Sequence, residues 1–392
     1  MTPPAEASGA TGAAAALSVH PVAAAALGEV AGEVLETLGG PADLAVVVAG
    51  GAHAASLGSI SDAVGDLLSP GCLLSIGASG TLGAGTAAPS VPSVALWAVT
   101  GIEATALPAT APDGTADTDA IVSALPTEGT LVVVGTGGPP LPRLVEAVAR
   151  QHPGLDVVGG LVDASPDAPG RVGTDGRTDS TLAGFLLPPG VATAIGAGAV
   201  RPVGETLAVT DAEGPVVRTL AGAPAADHLD AVVADLTADA RMALRRGVFL
   251  CRVVDERGLE PGAADVVAHG VRGLVADTRW LALDAAVEVG TLVRFGYLDP
   301  ATATSELRHA LTLATAGRPS AGAFLFSCVA RGAGLLDDDA HDAVLAAETL
   351  RSAAVAGTSC TGEVAPTGRR AWLSGFTAAA LVVHAEGPDP LG

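Results

Sequence analysis

The fold is decided by the stretch DLAVVVAGGAH (residues 43–53), an apolar run that ends in glycines. A run with no polar face is typical of a strand covered on both sides, rather than of a strand with one side in water. It is followed by a segment with helical apolar spacing, SISDAVGDLLSP (59–70), and by two further apolar runs, CLLSIGASGTLGAG (72–85) and VPSVALWAV (91–99). This region is therefore predicted to form a strand, a helix and two more strands.

The same order of elements recurs twice further along the chain. The second copy consists of GTLVVVGTGGPP (129–140), LPRLVEAVARQ (141–151), LDVVGGLVDAS (155–165) and STLAGFLLP (180–188). The third consists of AGAFLFSCVARGAG (321–334), AHDAVLAAETLRS (340–352), AAVAGTSCTGEVAPTG (353–368) and GFTAAALVVH (375–384). We interpret them as internal repeats. They predict a mixed α/β (α+β) fold, in which repeated strand-helix-strand-strand units form layered sheets flanked by helices.

The remaining segments set the predicted domain organisation. A meander of strands is predicted over residues 247–299, followed by a helix over 305–314. An earlier helix is predicted over 21–38, where Gly39 and Gly40 end the apolar periodicity. The predicted organisation is a disordered tail (1–17), an N-type domain (18–222), a C-type domain (223–385) and a short tail (386–392).

Composition and charge exclude several classes of partner. A formal net charge of -22 opposes binding to nucleic acid or to anionic lipid, both of which require clustered basic side chains. No apolar run approaches the ~20 residues that span a bilayer, and the start of the chain lacks the basic residues of a secretory signal. The cysteines are scattered without a CxxC pair, which fits a reducing cytoplasm. We therefore expect a cytoplasmic protein without nucleic-acid or membrane partners.

A small-molecule site is predicted where the strands of the first and third copies end. Ligands usually meet α/β sheets at the carboxyl ends of strands, so the two terminal copies are expected to face one cleft. The candidate ligand-binding residues are His53, Ser79, Ser327, Cys328, Arg331, Gly332, Gly357, Gly362 and Glu363.

Each type of candidate residue has an expected role. Arg331 is expected to grip a ligand carboxylate in a two-point fork, and Glu363 an ammonium or guanidinium. The glycines would allow close backbone approach. Two alternatives stay open: Arg331 and Glu363 pair with one another, and His53 is a structural histidine.

Cys328 has two interpretations. As a nucleophile, it would have its pKa lowered by Arg331, with His341 or the acidic run 337–339 as its base. As a structural residue, it would be a small buried hydrophobe, and the acidic run a solvated helix start. Cys360, Glu363, Cys328 and His341 carry no recognised zinc spacing. The glycine-rich GASG (77–80) and GTGG (135–138) lack a P-loop pattern, and the chain contains no lysine. No metal or other cofactor is predicted.

The third copy resembles the C-terminal domain of the FIST family in FLFSCVARG (324–332), DAHDAV (339–344), VAGTSCTGEVAP (355–366) and GFTAAALVV (375–383). Earlier segments, LAVVVAGGAH, LLSIGASGTLGAG, SVALWAV and DVVGGLVDAS, are similar to that family's N-terminal domain. The resemblance spans roughly residues 41 to 385. It implies an intracellular sensory module that binds small ligands, with amino acids as candidates. Such modules are often joined to signalling domains, and the sequence shows none here. We therefore expect the chain either to signal through a separate partner protein or to act by itself. The rival functions are a cysteine-dependent enzyme acting on a small metabolite and a structural scaffold.

Overall fold

The computed structural model describes residues 11–385, apart from 84, 109–116, 163–169, 255–261 and 369. Its strands, in chain order, are β1 (Gly12–Ser18), β2 (Leu44–Gly50), β3 (Cys72–Ala78), β4 (Gly80–Gly83), β5 (Thr86–Pro89), β6 (Ser93–Thr100), β7 (Thr105–Ala106), β8 (Glu128–Thr136), β9 (Gly154–Val162), β10 (Arg171–Thr174), β11 (Leu182–Leu187), β12 (Ala192–Gly198), β13 (Val200–Glu213), β14 (Val216–Leu220), β15 (Ala223–Pro224), β16 (Val248–Val253), β17 (Val266–Leu274), β18 (Leu281–Leu283), β19 (Leu292–Leu298), β20 (Ser320–Cys328), β21 (Val355–Cys360), β22 (Gly362–Thr367), β23 (Arg370–Ser374) and β24 (Thr377–His384).

The helices are α1 (Ala23–Leu38), α2 (Leu57–Leu68), α3 (Thr118–Ala124), α4 (Pro140–Gln151), α5 (Ala225–Asp235), α6 (Ala238–Leu244), α7 (Pro300–Ala314) and α8 (His341–Leu350). Short helical turns cover Gly51–Ser56, Ala263–Asp265 and Gly332–Leu336. The predicted mixed α/β class is confirmed. Among the described residues, no helix combines the length and the apolar character needed to cross a membrane.

The chain forms two compact units. The first comprises the described parts of Met1–Gly196, Leu307–Pro366 and Arg370–Gly392, and the second those of Ala197–Glu306 and Thr367–Arg369. Each unit thus contains residues from both predicted sequence domains. The boundary between residues 222 and 223 stays a prediction about sequence domains, not about compact units.

Three sheets build the first unit, with strand orders β1-β6-β2-β3-β10, β23-β22-β9-β8-β11-β7 and β12-β24-β20-β21-β4-β5. In each sheet, the leading strand of one predicted copy pairs parallel with that copy's second strand and antiparallel with its last strand. These central strands are β2 (with β3 and β6), β8 (with β9 and β11) and β20 (with β21 and β24). The three copies therefore share one pairing pattern, while their origin as repeats stays a prediction.

The sheets of the first unit are layered because their central strands are apolar on both faces. All residues of β2 are buried, and alternate side chains enter two different clusters. Val47 packs with α1 and α2, whereas Val46 and Val48 join Phe324 and Phe326 of β20 in a cluster shared with the other sheets. Helices α3 and α4 cover the outer face of β8. Small aliphatic side chains thus fill most of the core, as their abundance in the sequence predicts.

The second unit contains a sheet of order β13-β19-β16-β17-β18-β14-β15, with antiparallel pairing throughout. It includes the strands predicted over residues 247–299. Strand β19 pairs with β16 rather than with its chain neighbour β18, so the order differs from a simple meander. The helix predicted over 305–314 begins earlier, at Pro300.

The prediction of a disordered tail over residues 1–17 is wrong for the residues of this segment that the structure describes. Gly12–Ser18 form β1, which pairs antiparallel with β6 from Gly12↔Thr100 to Ser18↔Val94. Ala14 and Ala16 are buried against α1, so their small side chains fit a close approach between strand and helix. Residues 1–10 and the tail predicted over 386–392 lie outside the described residues.

Candidate functional site

A cavity of about 150 Å³ lies in the first unit, between the β4–β5 hairpin and the carboxyl ends of β20 and β21. Its walls come from residues 79–90 of the first predicted copy and from residues 327–359 of the third. The expected convergence of the two terminal copies is therefore present in the structure.

Strand pairing brings these distant segments together. Strand β21 runs parallel to β20, with Ser359 opposite Ser327, and antiparallel to β4, with Thr358 opposite Thr81. Because β4 pairs on its other side with β5, the hairpin places Ser90 beside Ser79, whose carbonyl accepts a hydrogen bond from the Ser90 amide. The cavity thus lies where the edge hairpin meets the loop after β20.

The wall is rich in hydroxyl groups, from Ser79, Thr81, Ser90, Ser327 and Ser359. The charged side chain in the wall is Asp339, and Cys328 contributes a thiol. Among the described lining residues there is no arginine or histidine. The cavity therefore offers hydrogen-bonding groups and a carboxylate, and it lacks a basic side chain for an anion.

Arg331, the predicted carboxylate-binding residue, is fully buried and forms an ion pair with Asp342. Nε donates to Oδ2 at 2.8 Å and Nη2 donates to Oδ1 at 2.9 Å, while Nη1 donates to the carbonyl oxygen of Phe376 at 3.4 Å. This two-point geometry is the one expected between an arginine and a ligand carboxylate. In the structure, the carboxylate that Arg331 binds with this geometry is that of Asp342 in the same chain, and not that of a ligand.

Asp342 is the centre of a polar network beneath the cavity. Besides Arg331, its carboxylate accepts a hydrogen bond from the Ser327 hydroxyl (2.7 Å) and lies 3.2 Å from Nδ1 of His341. Burial alone would raise the pKa of Asp342, but the Arg331 charge and these hydrogen bonds outweigh it and lower that pKa. The pKa of Arg331 is raised in turn, since the Asp342 carboxylate outweighs the opposing effect of burial. The network therefore holds both groups ionised.

Glu363 is fully buried beneath Cys328 and does not line the cavity. Its Oε2 accepts a hydrogen bond from the Thr377 amide at 3.2 Å, whereas Oε1 has no hydrogen-bond partner among the described residues. Burial raises the pKa of this carboxyl well above its usual range. Sealed from the cavity, the group is not placed to bind a ligand's cation.

Cys328 forms part of the cavity wall, and its sulfur accepts a hydrogen bond from the Phe376 amide at 3.2 Å. Burial and the neighbouring Glu363 carboxyl raise the pKa of Cys328 to about 12. Burial also raises the pKa of Cys360. At neutral pH the cavity therefore contains a thiol rather than a thiolate, contrary to the lowering by Arg331 that the nucleophile interpretation expects.

The structure divides the predicted site residues into two groups. Those that line the cavity are Ser79, Ser327, Cys328 and Gly332; those that do not are His53, Arg331, Gly357, Gly362 and Glu363. Nε2 of His53 lies 2.9 Å from the His20 carbonyl oxygen, which supports the structural alternative.

The predicted glycines differ in what surrounds them. A Cβ on Gly357 would lie 2.4 Å from the Leu325 carbonyl oxygen, and one on Gly362 would lie 3.3 Å from the Leu373 side chain. Glycine is thus required at residue 357 because the backbone of the neighbouring strand β20 approaches closely, and not because a ligand does. Within the described residues, no three His, Cys, Asp or Glu side chains are arranged to hold a metal ion.

The candidate residues named from the sequence do not include Asp342, Thr81 or Ser359, and Asp339 was considered only within the acidic run 337–339. For Asp342 a signal is present: it shares helical spacing with Leu345, Ala346 and Leu350, the buried face of α8. A lone acid on an apolar face predicts a buried partner, but the spacing does not identify it, because Arg351 is closer to Asp342 in the sequence than Arg331.

Comparison with known proteins supports the resemblance in part. A model of the FIST C domain matches residues 225–366, which includes Cys328, Arg331 and Glu363. The match begins at residue 225, so the segment predicted as an N-type domain lies outside it. The domain match thus includes β20, the loop after it and β21, which build one side of the cavity.

Similar proteins are found in mycobacteria. The chain is 33% identical over 244 residues to the uncharacterized proteins MT0656 and Rv0628c of Mycobacterium tuberculosis, and equally to Mb0898c of Mycobacterium bovis. Each alignment covers 60% of this chain. The chain spans 62% of the length of these relatives, whose names assign no activity.

Proposed function

We propose that this chain is a cytoplasmic small-ligand sensor, whose ligand occupies the cavity between the β4–β5 hairpin and the loop after β20 and whose bound state is recognised by a separate signalling protein. The FIST C match supports a sensory role, and the resemblance makes amino acids candidate ligands. The cytoplasmic location is part of the proposal, because all four cysteines are unpaired thiols.

The observation that carries the proposal is the origin of the cavity wall. Ser79 and Ser90 lie in the first predicted copy, whereas Ser327 and Ser359 belong to the third. A ligand that forms hydrogen bonds to both sides would connect segments that are otherwise joined through strand pairing at the sheet edge. Binding would therefore stabilise the hairpin against β21, as expected of a ligand-dependent conformational signal.

The loop between β20 and α8 is the proposed readout of ligand binding. It contains the helical turn Gly332–Leu336 and Asp337, whose φ of 60° is left-handed. Gly332 and Asp339 of this loop line the cavity, while the exposed Val329 lies beside them in the wall. A ligand in the cavity would hold this loop in one conformation, which a partner protein could distinguish.

Thermal unfolding in the presence of small metabolites tests the proposal. A ligand at a hundred times its Kd stabilises the folded state by about 2.7 kcal/mol, enough to shift the Tm measurably. Ser359→Leu should abolish this shift, because the larger side chain fills the cavity. Ser123→Leu, on the exposed face of α3, is the matched control and should retain it. A broad panel of amino acids, amines, polyols and organic acids without one Ser359-dependent shift would refute the sensor function.

The enzyme alternative is less well supported. It requires Cys328 to act as a thiolate, whereas burial and Glu363 keep the thiol protonated at neutral pH. The bases considered from the sequence are also engaged elsewhere. Nδ1 of His341 lies 3.2 Å from the Asp342 carboxylate, and Asp338 accepts a hydrogen bond from the Ala340 amide.

A further inference from the structure

The charge of the cavity wall indicates which ligands it can bind. Asp339 and Cys328 are the ionisable side chains among the described lining residues, and Cys328 is a neutral thiol at physiological pH. The remaining polar side chains of the wall carry hydroxyls. Those of Thr81 and Ser327 already donate to Ser93 and Asp342, so they can only accept from a ligand, whereas a hydroxyl without such a bond can both donate and accept. The side chains of the wall therefore carry a net negative charge.

The nearest buried cation does not change this sign. Arg331 is fully buried, and two of its nitrogens donate to Asp342. The opposite charges of the pair largely cancel at the distance of a bound ligand. An anionic ligand would lose its hydration and gain no basic side chain in return, which makes phosphates and carboxylates poor ligands here.

Asp339 is placed to receive a cation. Its Oδ1 accepts a hydrogen bond from the Ala333 amide at 2.8 Å, which fixes the carboxylate beside the cavity. A carboxylate oxygen can accept more than one hydrogen bond, so capacity remains for a ligand donor. Gly332 packs directly against this carboxylate, since a Cβ at residue 332 would lie 2.2 Å from Oδ1.

The volume limits ligand size. A cavity of about 150 Å³ holds a molecule of about six non-hydrogen atoms, the size of benzene. Nucleotides, peptides and most sugars are larger than this and would extend into solvent, because exposed residues such as Val329 border the cavity. The hydroxyl-rich wall favours a polar molecule over an apolar one of the same size.

We propose that the ligand is a compact primary amine that carries hydroxyl groups and no anionic group, with its ammonium on Asp339 and its hydroxyls on the serine side chains of the wall. This inference rests on the proposed sensor function and adds the class of ligand to it. For an amino acid, this inference predicts that the cavity binds the ammonium group and disfavours the carboxylate group.

Four probes of nearly equal size test the inference: serinol, glycerol, L-lactate and L-alanine, each with about six non-hydrogen atoms. They are cationic, neutral, anionic and zwitterionic, respectively, at neutral pH. Calorimetric titration should find serinol binding about three- to fivefold more tightly than glycerol, because its ammonium pairs with an exposed carboxylate. L-Alanine should bind more weakly than serinol, and L-lactate most weakly of the four.

Asp339→Asn should remove the preference for serinol over glycerol, while glycerol binding persists. Asp337→Asn is the matched control: it removes the same charge from the same loop, and asparagine tolerates the left-handed conformation found at residue 337. It should leave serinol binding within about twofold. The Tm of both variants checks that the fold is retained.

The possible outcomes distinguish the proposed ligand class from the proposed sensor function. If L-lactate or L-alanine binds as tightly as serinol, or if Asp339→Asn leaves the preference intact, the ligand class is wrong while the sensor function stands. The same holds if only glycerol binds. If no probe binds and the broad metabolite panel also finds no Ser359-dependent ligand, both the class and the sensor function are refuted.

Discussion

Arg331 and Asp342 form a two-point ion pair in the interior of the first unit, with Nε–Oδ2 and Nη2–Oδ1 distances of 2.8 and 2.9 Å. The pair connects the loop after β20 to the first turn of α8, and Ser327 attaches it to the end of β20 itself. It therefore fixes the loop that contributes Gly332 and Asp339 to the cavity wall.

Removing one member of this pair should destabilise the protein strongly. Arg331→Met leaves the Asp342 carboxylate buried without its cation, which typically costs about 3–5 kcal/mol. Urea unfolding followed by circular dichroism measures the loss as a lower transition midpoint. The matched control is Arg308→Met on the exposed face of α7, which should change stability by less than about 0.5 kcal/mol.

A double variant tests whether the cost arises from the uncompensated charge. Arg331→Met combined with Asp342→Leu removes both charges and should recover part of the lost stability, because apolar side chains of similar size often replace a buried pair without net cost. If the double variant is as unstable as the sum of the two single variants, the two residues do not act as a pair.

The buried carboxyl of Glu363 should make stability fall as the pH rises. Burial raises the pKa of Glu363 in the folded state, whereas an unfolded glutamate has a pKa of about 4.3. Above about pH 4.3 the unfolded state releases the proton while the folded state retains it, so the free energy of unfolding decreases until the folded-state pKa is passed.

Glu363→Gln should remove this decrease. Urea unfolding between pH 4 and pH 8 would then show a smaller decline than in the wild-type protein. Glu348→Gln, at an exposed position of α8, is the control and should follow the wild-type curve. A decline of equal size in the Glu363 variant would show that this carboxyl ionises as readily in the folded state as in the unfolded state.

Cys328 should react slowly with alkylating agents, because its pKa is raised to about 12. At pH 7.4 the rate with iodoacetamide should be at least about a hundredfold below that of free cysteine, whose pKa is about 8.5. Mass spectrometry of peptides measures the labelling, which should accelerate as the pH rises. The urea-unfolded chain is the control, since all its cysteines should label quickly. Rapid labelling of Cys328 in the folded protein would instead support the enzyme alternative.

The strands and their local order were predictable because that information is local in the sequence. Continuous apolar runs such as residues 44–50 identify buried central strands, and the helices between them have clear periodicity. Strand β1 was missed because alanine has no marked strand preference. Its position depends on pairing with β6, far along the chain.

The ends of strands in the first and third copies were predictable from the sequence, and the structure brings Ser79, Ser327, Cys328 and Gly332 from those ends to one cavity. Their role in ligand binding stays a prediction. The rule that sites lie at the ends of strands does not predict which side chain pairs with Arg331. That pairing depends on the turn between β20 and α8, which passes through the left-handed Asp337 and brings Asp342 back beneath the strand end.

Gly332→Ala should weaken ligand binding without unfolding the protein. Its Cβ would lie 2.2 Å from Oδ1 of Asp339, so the carboxylate must move, which is tolerable because Asp339 is an exposed side chain. The Cβ would also lie 3.3 Å from the Asp339 Cα, so the loop backbone must shift by a few tenths of an ångström. We expect the affinity for serinol to fall about three- to fivefold while the Tm changes little. Gly334→Ala is the matched control in the same helical turn, since a Cβ there meets no atom within 4 Å. Equal serinol affinity in the two variants would show that the position of the Asp339 carboxylate does not determine binding, and the ammonium site would then have to be sought elsewhere in the wall.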